Sequence, residues 1–409
     1  MTPLAPPPRV VLLTRYLATP AQPDSGIGRH FLVLADALAE AGACVHVVLL
    51  VAENPFAQRA ALAKLGPRWS YTVVDCQLPA WLSPSPARWP LLWLLRDLWS
   101  AGLAVRELLR LRVHQTNTVV ETHSTCVPAL AFNALGWTTL VRVSTTMARM
   151  YEERAISSRW LRLGASLETL HLALSPALLT HSARHRDQVC ADTGLDPRCF
   201  ALIPHGLPAP ESGPLTAPRF KRLLFLGRFE RRKGIDTLLE ALPELLLRHP
   251  DLEVSLVGEI GENHDWAAPL AHLHTEARER VRAHGRLDNQ ALNALWDETT
   301  LLVAPSRYES FGLIYVEAMS RGIVPIGCAV GGVPDVITSG HDGLLVPPAS
   351  PAALADAIHQ ALSNPAQCAI LGANALATYH ERFSSSALAR SSLNLYNKLG
   401  SYLNPPEAI

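Results

Sequence analysis

Glu309 and Glu317 stand eight positions apart in Pro305-Ser-Arg-Tyr-Glu-Ser-Phe-Gly-Leu-Ile-Tyr-Val-Glu-Ala-Met-Ser-Arg-Gly322. The residues between them predict that Ser310 or the turn around it caps a helix running through Val316, with Gly312 leaving the first-turn amides bare. Such an N-terminus suits an anionic phosphate, because free N–H groups and the helix dipole both favour negative charge there. Glu309 then lies in the loop before the helix and Glu317 lies inside it, roughly 10 Å away at 1.5 Å per residue. That distance spans a diphosphate with a hydroxylated ring at each end. Read by itself, the stretch also fits two solvated glutamates flanking an ordinary buried helix. Leu301-Leu-Val-Ala-Pro305 favours the first reading, since a short buried strand ended by proline puts Glu309 at the carboxyl edge of a parallel sheet. Ligands bind at such edges in open α/β folds.

Other segments offer compatible chemistry. Gly227-Arg-Phe-Glu-Arg-Arg-Lys-Gly234 places several cations in a loop directly after a strand. Fixed cations in a dry site stabilise negative charge as it develops on a leaving phosphate. Arg228 and Lys233 are the candidates for that role, while Arg231 and Arg232 read as solvated. Ser25-Gly-Ile-Gly-Arg29 follows the first strand and opens a helix, where a backbone can approach a phosphate closely. It is not a dinucleotide fingerprint, because Phe31 stands where the third glycine would be. His123 ends a strand in Glu121-Thr-His-Ser-Thr-Cys126 and can serve either as a structural residue or as a site residue.

The elements that must hold these groups follow from apolar patterning. Val10–Leu13, a helix from Gly28 to Glu40 and Val45–Leu50 open the chain as a β-α-β unit, and Thr118–His123, Thr139–Val143 and Ala177–Thr180 continue in the same style. The pattern restarts with a strand over Arg222–Gly227, a helix over Ile235–Arg248 and a strand over Leu252–Val257. Pro204-His-Gly-Leu-Pro-Ala-Pro-Glu-Ser-Gly-Pro214 is the natural linker. The fold class is therefore α/β with two doubly wound domains, as 409 residues and 48% hydrophobic content allow.

Composition narrows the setting. None of the seven cysteines forms a C-x-x-C pair or a zinc-finger set with histidine, which fits reduced cysteines in a cytosolic protein. The first residues lack a basic region followed by an apolar core, so no signal peptide is expected and cytoplasmic is the default. Net charge is zero, but residues 1–205 carry 19 Lys/Arg against 14 Asp/Glu, and residues 206–409 carry 17 against 22. The basic half can meet an anionic acceptor or a membrane surface. Trp81, Trp89, Trp93 and Trp99 lie among leucines in Pro79–Leu109, a run that Arg88, Arg96 and Asp97 break too often to span a bilayer. Core packing, an apolar acceptor or peripheral membrane contact, at the inner face of a membrane, would each use such a segment. No nucleic-acid partner is expected.

The pattern Pro-Ser-x-x-Glu-Ser-Phe-Gly-x-x-x-x-Glu-Ala-Met, followed by Gly331-Gly-Val-Pro-Asp335 and Gly343-Leu-Leu-Val346, resembles the retaining glycosyltransferases of family 4, which have the two-domain GT-B fold. The resemblance is specific in the second half of the chain and weaker before residue 200. It implies Rossmann-like domains facing across a cleft: an acceptor-binding domain over residues 1–205, a domain over 206–385 that binds the nucleotide sugar, and a helix over 386–409 returning to the first domain.

The implied reaction moves a hexose-type sugar from a UDP-sugar, in preference to a GDP-sugar, to a hydroxyl of a glycan, glycolipid or small molecule. Arg228 and Lys233 match the family's Gly-Arg and Lys-Gly pair, Glu309 would hold a hydroxyl of the transferred sugar, and Glu317 would hold the ribose diol. Ser310, Phe311, Gly312 and Leu313 would meet the donor phosphates, and Gly285-Arg-Leu287 the base through backbone amides, with Gly285 and Leu287 as the contacts. Gly26 and Gly28 would touch donor phosphate or acceptor, and His123 completes the catalytic candidates. The chain lacks an Asp-x-Asp pair, so no metal and no cofactor beyond the sugar-nucleotide co-substrate is expected, and turnover should persist in EDTA.

The chain also departs from the family pattern. His205 and Pro208 replace the asparagine and aspartate of the hinge sequence, and Ser144 stands where a histidine is usual. A sugar-nucleotide epimerase of the same fold, or a binding protein without turnover, remain alternatives. The epimerase would change its sugar nucleotide with no acceptor present.

Overall fold

The computed structural model describes residues 9–19, 26–77, 90–111, 118–124, 132, 134–149, 159–211, 221–259, 266, 268–271 and 274–403. Its chain forms two compact units, Met1–Gly206 together with Ser385–Ile409, and Leu207–Ser384.

The first unit is built on a seven-stranded sheet. Its strands are β1 (Arg9–Thr14), β2 (Val45–Val51), β3 (Ser70–Asp75), β4 (Thr118–His123), β5 (Thr138–Arg142), β6 (Leu178–Thr180) and β7 (Phe200–Leu202). They run in the order β3-β2-β1-β4-β5-β6-β7, and every pairing is parallel. β1 and β2 are near-continuous apolar runs, as strands covered on both faces must be. The helix Gly26–Glu40 buries Phe31, Leu34 and Leu38 against them at helical spacing. Between β1 and β4 the strand order reverses direction, and their carboxyl ends carry Thr14 and His123.

The helix Ser385–Leu403 packs into this same core through Leu388, Ala389 and Tyr396. A buried polar triad fastens it. The Tyr396 hydroxyl donates to Glu121 Oε2 at 2.5 Å, and Arg142 Nε donates to Glu121 Oε1 at 2.7 Å. Burial and the Glu121 charge hold the Tyr396 phenol well above its ordinary pKa, which keeps it a hydrogen-bond donor.

The second unit holds a six-stranded parallel sheet of β8 (Arg222–Leu226), β9 (Glu253–Val257), β10 (Val281–Gly285), β11 (Leu301–Ala304), β12 (Val324–Cys328) and β13 (Leu344–Val346). The order is β10-β9-β8-β11-β12-β13, so the direction reverses between β8 and β11. The helix Ile235–Arg248 buries Leu238, Leu242, Leu245 and Leu246 on this sheet. Each such side chain contributes about 1.5–3 kcal/mol.

The strands read from patterning lie within about two residues of their expected ends, whereas β3, β7, β10, β12 and β13 were not anticipated. In the tryptophan-rich segment Trp81 and Trp89 fall outside the described residues, as does the side chain of Trp93. The described part of the helix Pro90–Arg110 buries Ala101, Ala104 and Leu108 while Leu98, Trp99 and Leu109 stay exposed. No described helix is long and apolar enough to cross a membrane.

Candidate functional site

Ligands of doubly wound sheets bind where the strand order reverses, outside the carboxyl ends of the two central strands. In the second unit those strands are β8 and β11. The loop after β8 carries Arg228 and Lys233, and the loop after β11 carries Glu309.

The two loops are in backbone contact. After β8 the chain makes a 3-10 turn over Arg231–Lys233, and Gly234 both closes that turn and opens the next helix. Gly234 has φ +72°, and a Cβ there would lie 1.9 Å from the Pro305 carbonyl oxygen. Only glycine meets both demands. With the loops this close, Lys233 Nζ reaches Glu309 Oε1 at 2.5 Å, and Ser306 Oγ donates to the same oxygen at 3.3 Å. The pair is mostly shielded, with Lys233 23% and Glu309 13% exposed. Phe229 anchors the other end of the loop against Phe225 and Trp266, while Arg228 beside it is exposed.

The Glu309 loop is supported from its far side by the Gly331–Gly332 pair. Gly332 N–H donates to the Glu309 carbonyl at 3.0 Å, and a Cβ at Gly331 or Gly332 would lie 2.0 or 2.2 Å from the carbonyl oxygen of Glu309 or Ser310. The glycines of Gly331-Gly-Val-Pro-Asp335 therefore make room for the segment that carries the carboxylate.

The expected helix is present but starts later and is shorter, Leu313–Met319. Gly312, at φ +91°, is its N-cap and no side chain caps it, so of the two expected caps the turn around Ser310 opens the helix and Ser310 itself does not. Phe311 packs in the core and Leu313 is partly buried against it. Tyr315, fully buried, donates its hydroxyl to the Ala304 carbonyl at 2.6 Å and ties the helix to the end of β11. Glu317 sits half-buried in the helix.

On the neighbouring strands, Gly285 ends β10 at φ +68° and its carbonyl accepts from Gly258 N–H at 2.9 Å. Leu287 then turns onto the core.

The first unit's candidates fall at its own reversal point. Gly26 opens the helix with free space around its Cα, whereas Gly28 packs on the chain after β1: a Cβ there would lie 2.9 Å from Ala18 N. Close helix packing thus accounts for Gly28 without a ligand. His123 is 1% exposed, set near Tyr16 and Phe31, and burial lowers its pKa from 6.5 to about 3. It is a neutral, enclosed imidazole. Ser144 Oγ lies 3.5 Å from Ser124 Oγ at the end of β5. His205, at the unit boundary, meets His30 Nδ1 at 3.0 Å and stacks on His181.

Sequence reasoning missed three residues that shape the second unit's site: Arg307, Tyr315 and Asp236, which accepts hydrogen bonds from both Nη atoms of Arg307. A signal existed for the last, since an aspartate two positions after Gly234 faces a loop rich in arginine.

Comparison with known proteins agrees with this geometry. The sequence profile of the family described as "Glycosyl transferases group 1" matches residues 214–378. Glycogen synthase of Mycobacterium tuberculosis is 32% identical over 197 residues, covering 47% of each chain. D-inositol 3-phosphate glycosyltransferase 1 of Catenulispora acidiphila is 31% identical over 226 residues, covering 51% of this chain and 54% of its own. The chain thus aligns with about half the length of these curated relatives. Sucrose-phosphate synthase from Thermosynechococcus elongatus superposes with a TM-score of 0.70 over 96% of this chain and 100% of its own, at 20% identity. Anabaena HepE in complex with UDP-glucose gives 0.62 over 95% and 99%, at 15% identity. Both likenesses are of fold, and the fold is GT-B. Residues 214–378 of the second unit are thus a glycosyl transferases group 1 domain.

Proposed function

We propose that the protein is a retaining glycosyltransferase that moves a hexose-type sugar from a UDP-sugar to a hydroxyl acceptor in glycan or glycolipid synthesis. The observation that carries the reading is the Lys233–Glu309 pair at the reversal point of the second unit. It supports the reading because an ammonium suited to a diphosphate and a carboxylate suited to sugar hydroxyls lie within one hydrogen bond of each other.

In the proposed reaction the bond between the sugar's C1 and the diphosphate oxygen breaks, and its electron pair stays on the diphosphate. Lys233 and the exposed Arg228 stabilise that charge as it grows. The acceptor oxygen bonds to C1 from the same face and passes its proton to the departing diphosphate. No side chain is required as a nucleophile. Glu317 holds the ribose diol. The choice of UDP draws on the UDP-glucose complex of HepE, and the choice of a hexose on the glycogen synthase relative. The exposed Leu98, Trp99 and Leu109 support peripheral membrane contact of the first unit, and failure to bind anionic liposomes at low salt would count against it.

A thermal-shift panel of UDP, GDP, ADP and CMP with their sugar conjugates tests the reading. A ligand at about 100 times its dissociation constant adds roughly 2.7 kcal/mol of stability. UDP and a UDP-hexose should shift melting selectively, and NMR of the product should show the donor's anomeric configuration kept. Inversion, or no shift with any nucleotide, would reject the proposal.

A further inference from the structure

Arg307 lies two positions before Glu309, and its guanidinium crosses to the loop after β8. Nη1 and Nη2 donate to Asp236 Oδ1 and Oδ2 at 2.6 and 2.9 Å, a bidentate fork. Nη1 also donates to the Arg231 carbonyl at 2.6 Å, and the Arg307 backbone N–H donates to the Arg232 carbonyl at 2.8 Å. One residue thus satisfies two carbonyls of the 3-10 turn Arg231–Lys233 and holds the first turn of the helix Ile235–Arg248. The side chains of Arg307 and Asp236 are 25% and 33% exposed, so the pair is partly shielded from solvent. Asp236 holds the guanidinium pKa above its ordinary value. Lys233 is the next residue after Arg232, and Glu309 follows Arg307 by two, so any slip of this joint moves both charged groups.

We propose that Arg307 is a positioning residue: it locks the Arg231–Lys233 turn onto the Glu309 loop and so fixes the Lys233 ammonium where charge develops on the donor diphosphate. The inference rests on the glycosyl-transfer reading above. Surface ion pairs that act as glue contribute little to stability. A misplaced catalytic group, by contrast, costs up to about a hundredfold in rate for a shift near 1 Å. The two roles therefore separate in kinetics.

The test compares the full chain with Arg307→Ala, Arg307→Lys, Asp236→Asn and the double variant Arg307→Ala/Asp236→Asn. Donor hydrolysis of UDP-glucose is followed, in which water bonds to C1, the C1–O bond to the diphosphate breaks, and UDP is released with a proton. Arg307→Ala should lower kcat about tenfold or more with KM within about threefold of wild type and the melting temperature nearly unchanged. Asp236→Asn should match it, and the double variant should be no worse than either, because the two act as one unit. Arg307→Lys should recover part of the rate, since an ammonium keeps a contact with Asp236 but loses the fork. A second readout needs no turnover: acylation of Lys233, followed by mass spectrometry, should run severalfold faster in Arg307→Ala as the Glu309 pairing loosens.

An active wild type with Arg307→Ala unchanged in kcat, or an unchanged acylation rate, overturns the inference alone. So does a fall in kcat that tracks a fall in melting temperature. A wild type that binds no nucleotide overturns the underlying reading and the inference together.

Discussion

Lys233 Nζ donates to Glu309 Oε1 at 2.5 Å, joining loops that follow two adjacent strands of the second unit's sheet. Sequence reading assigned these side chains different partners, a phosphate for the lysine and a sugar hydroxyl for the glutamate. Their pairing means that an anion arriving at Lys233 competes with the carboxylate already there. It also means that the glutamate is oriented before any sugar reaches it, which lowers the cost of ordering the site.

Glu309→Gln separates these effects, because it removes the charge and keeps the shape. Free UDP should bind as tightly as to wild type or up to about 1 kcal/mol more tightly, since the competing charge of a partly exposed pair is worth that much. Transfer from a UDP-sugar should nevertheless fall at least about tenfold through loss of the charged hydroxyl contact. Calorimetry on UDP and a turnover assay measure the two arms. Weaker UDP binding would show that the carboxylate holds the loop rather than the sugar.

Lys233→Ala and Glu317→Ala should fail in different ways. Removing a group that stabilises charge in the transition state costs about a hundredfold or more in kcat, with the smaller change in KM. Removing a carboxylate that accepts hydroxyls in both ground and transition states should raise KM and the dissociation constant of UDP, by about 1.5–3 kcal/mol, with kcat less affected. Steady-state kinetics on both variants decide it. The reverse pattern would exchange the assigned roles.

Periodicity made the second unit legible because its apolar runs are short, bounded and followed by glycine or proline, as in Leu301–Pro305. The same reading passed over β12 (Val324–Cys328), whose interior Pro325 and Gly327 disguise a buried strand. Among candidate site residues, the placement of Lys233 and Glu309 was legible because each lies in a loop that follows a short apolar run. Arg307 was not, because its role is set by backbone carbonyls of a turn 76 positions away, and carbonyls leave no mark on sequence. His123 was read either as a structural residue or as a site group, and position along a strand does not reveal that Tyr16 and Phe31 stand beside it.

The returning helix should depend on the Tyr396–Glu121–Arg142 triad. Tyr396→Phe removes a charged hydrogen bond in a buried place and should destabilise the first unit by about 1.5–3 kcal/mol. Glu121→Ala should cost more, about 3–5 kcal/mol, because it strands the Arg142 guanidinium, which is 4% exposed. Hydrogen exchange should rise first across Ser385–Leu403 in Tyr396→Phe. Equal protection of that helix in the variant and wild type would mean that the apolar contacts of Leu388 and Ala389 suffice to hold it.

Acid should weaken the first unit before the second. His30, His46, His123, His171, His185 and His205 all have pKa values lowered chiefly by burial, with His123 at about 3 and His171 and His185 at about 4. In the second unit the described histidines so shifted are His249 and His284. A depressed pKa means that, as pH falls below the ordinary 6.5, the unfolded chain binds protons that the folded one refuses. Stability is therefore full above about pH 6.5 and declines toward pH 4, by up to about 1.4 kcal/mol for each unit of depression. Asp36 and Glu168, whose pKa values burial raises, act in the opposite sense and offset part of the loss. Urea melts at pH 7.5 and 5.0, each sampled by a short proteolytic pulse, report which unit opens. The first unit should open at lower urea at pH 5.0, and a midpoint that does not move, or moves less than that of the second unit, would mean that the buried imidazoles find protons or partners without unfolding.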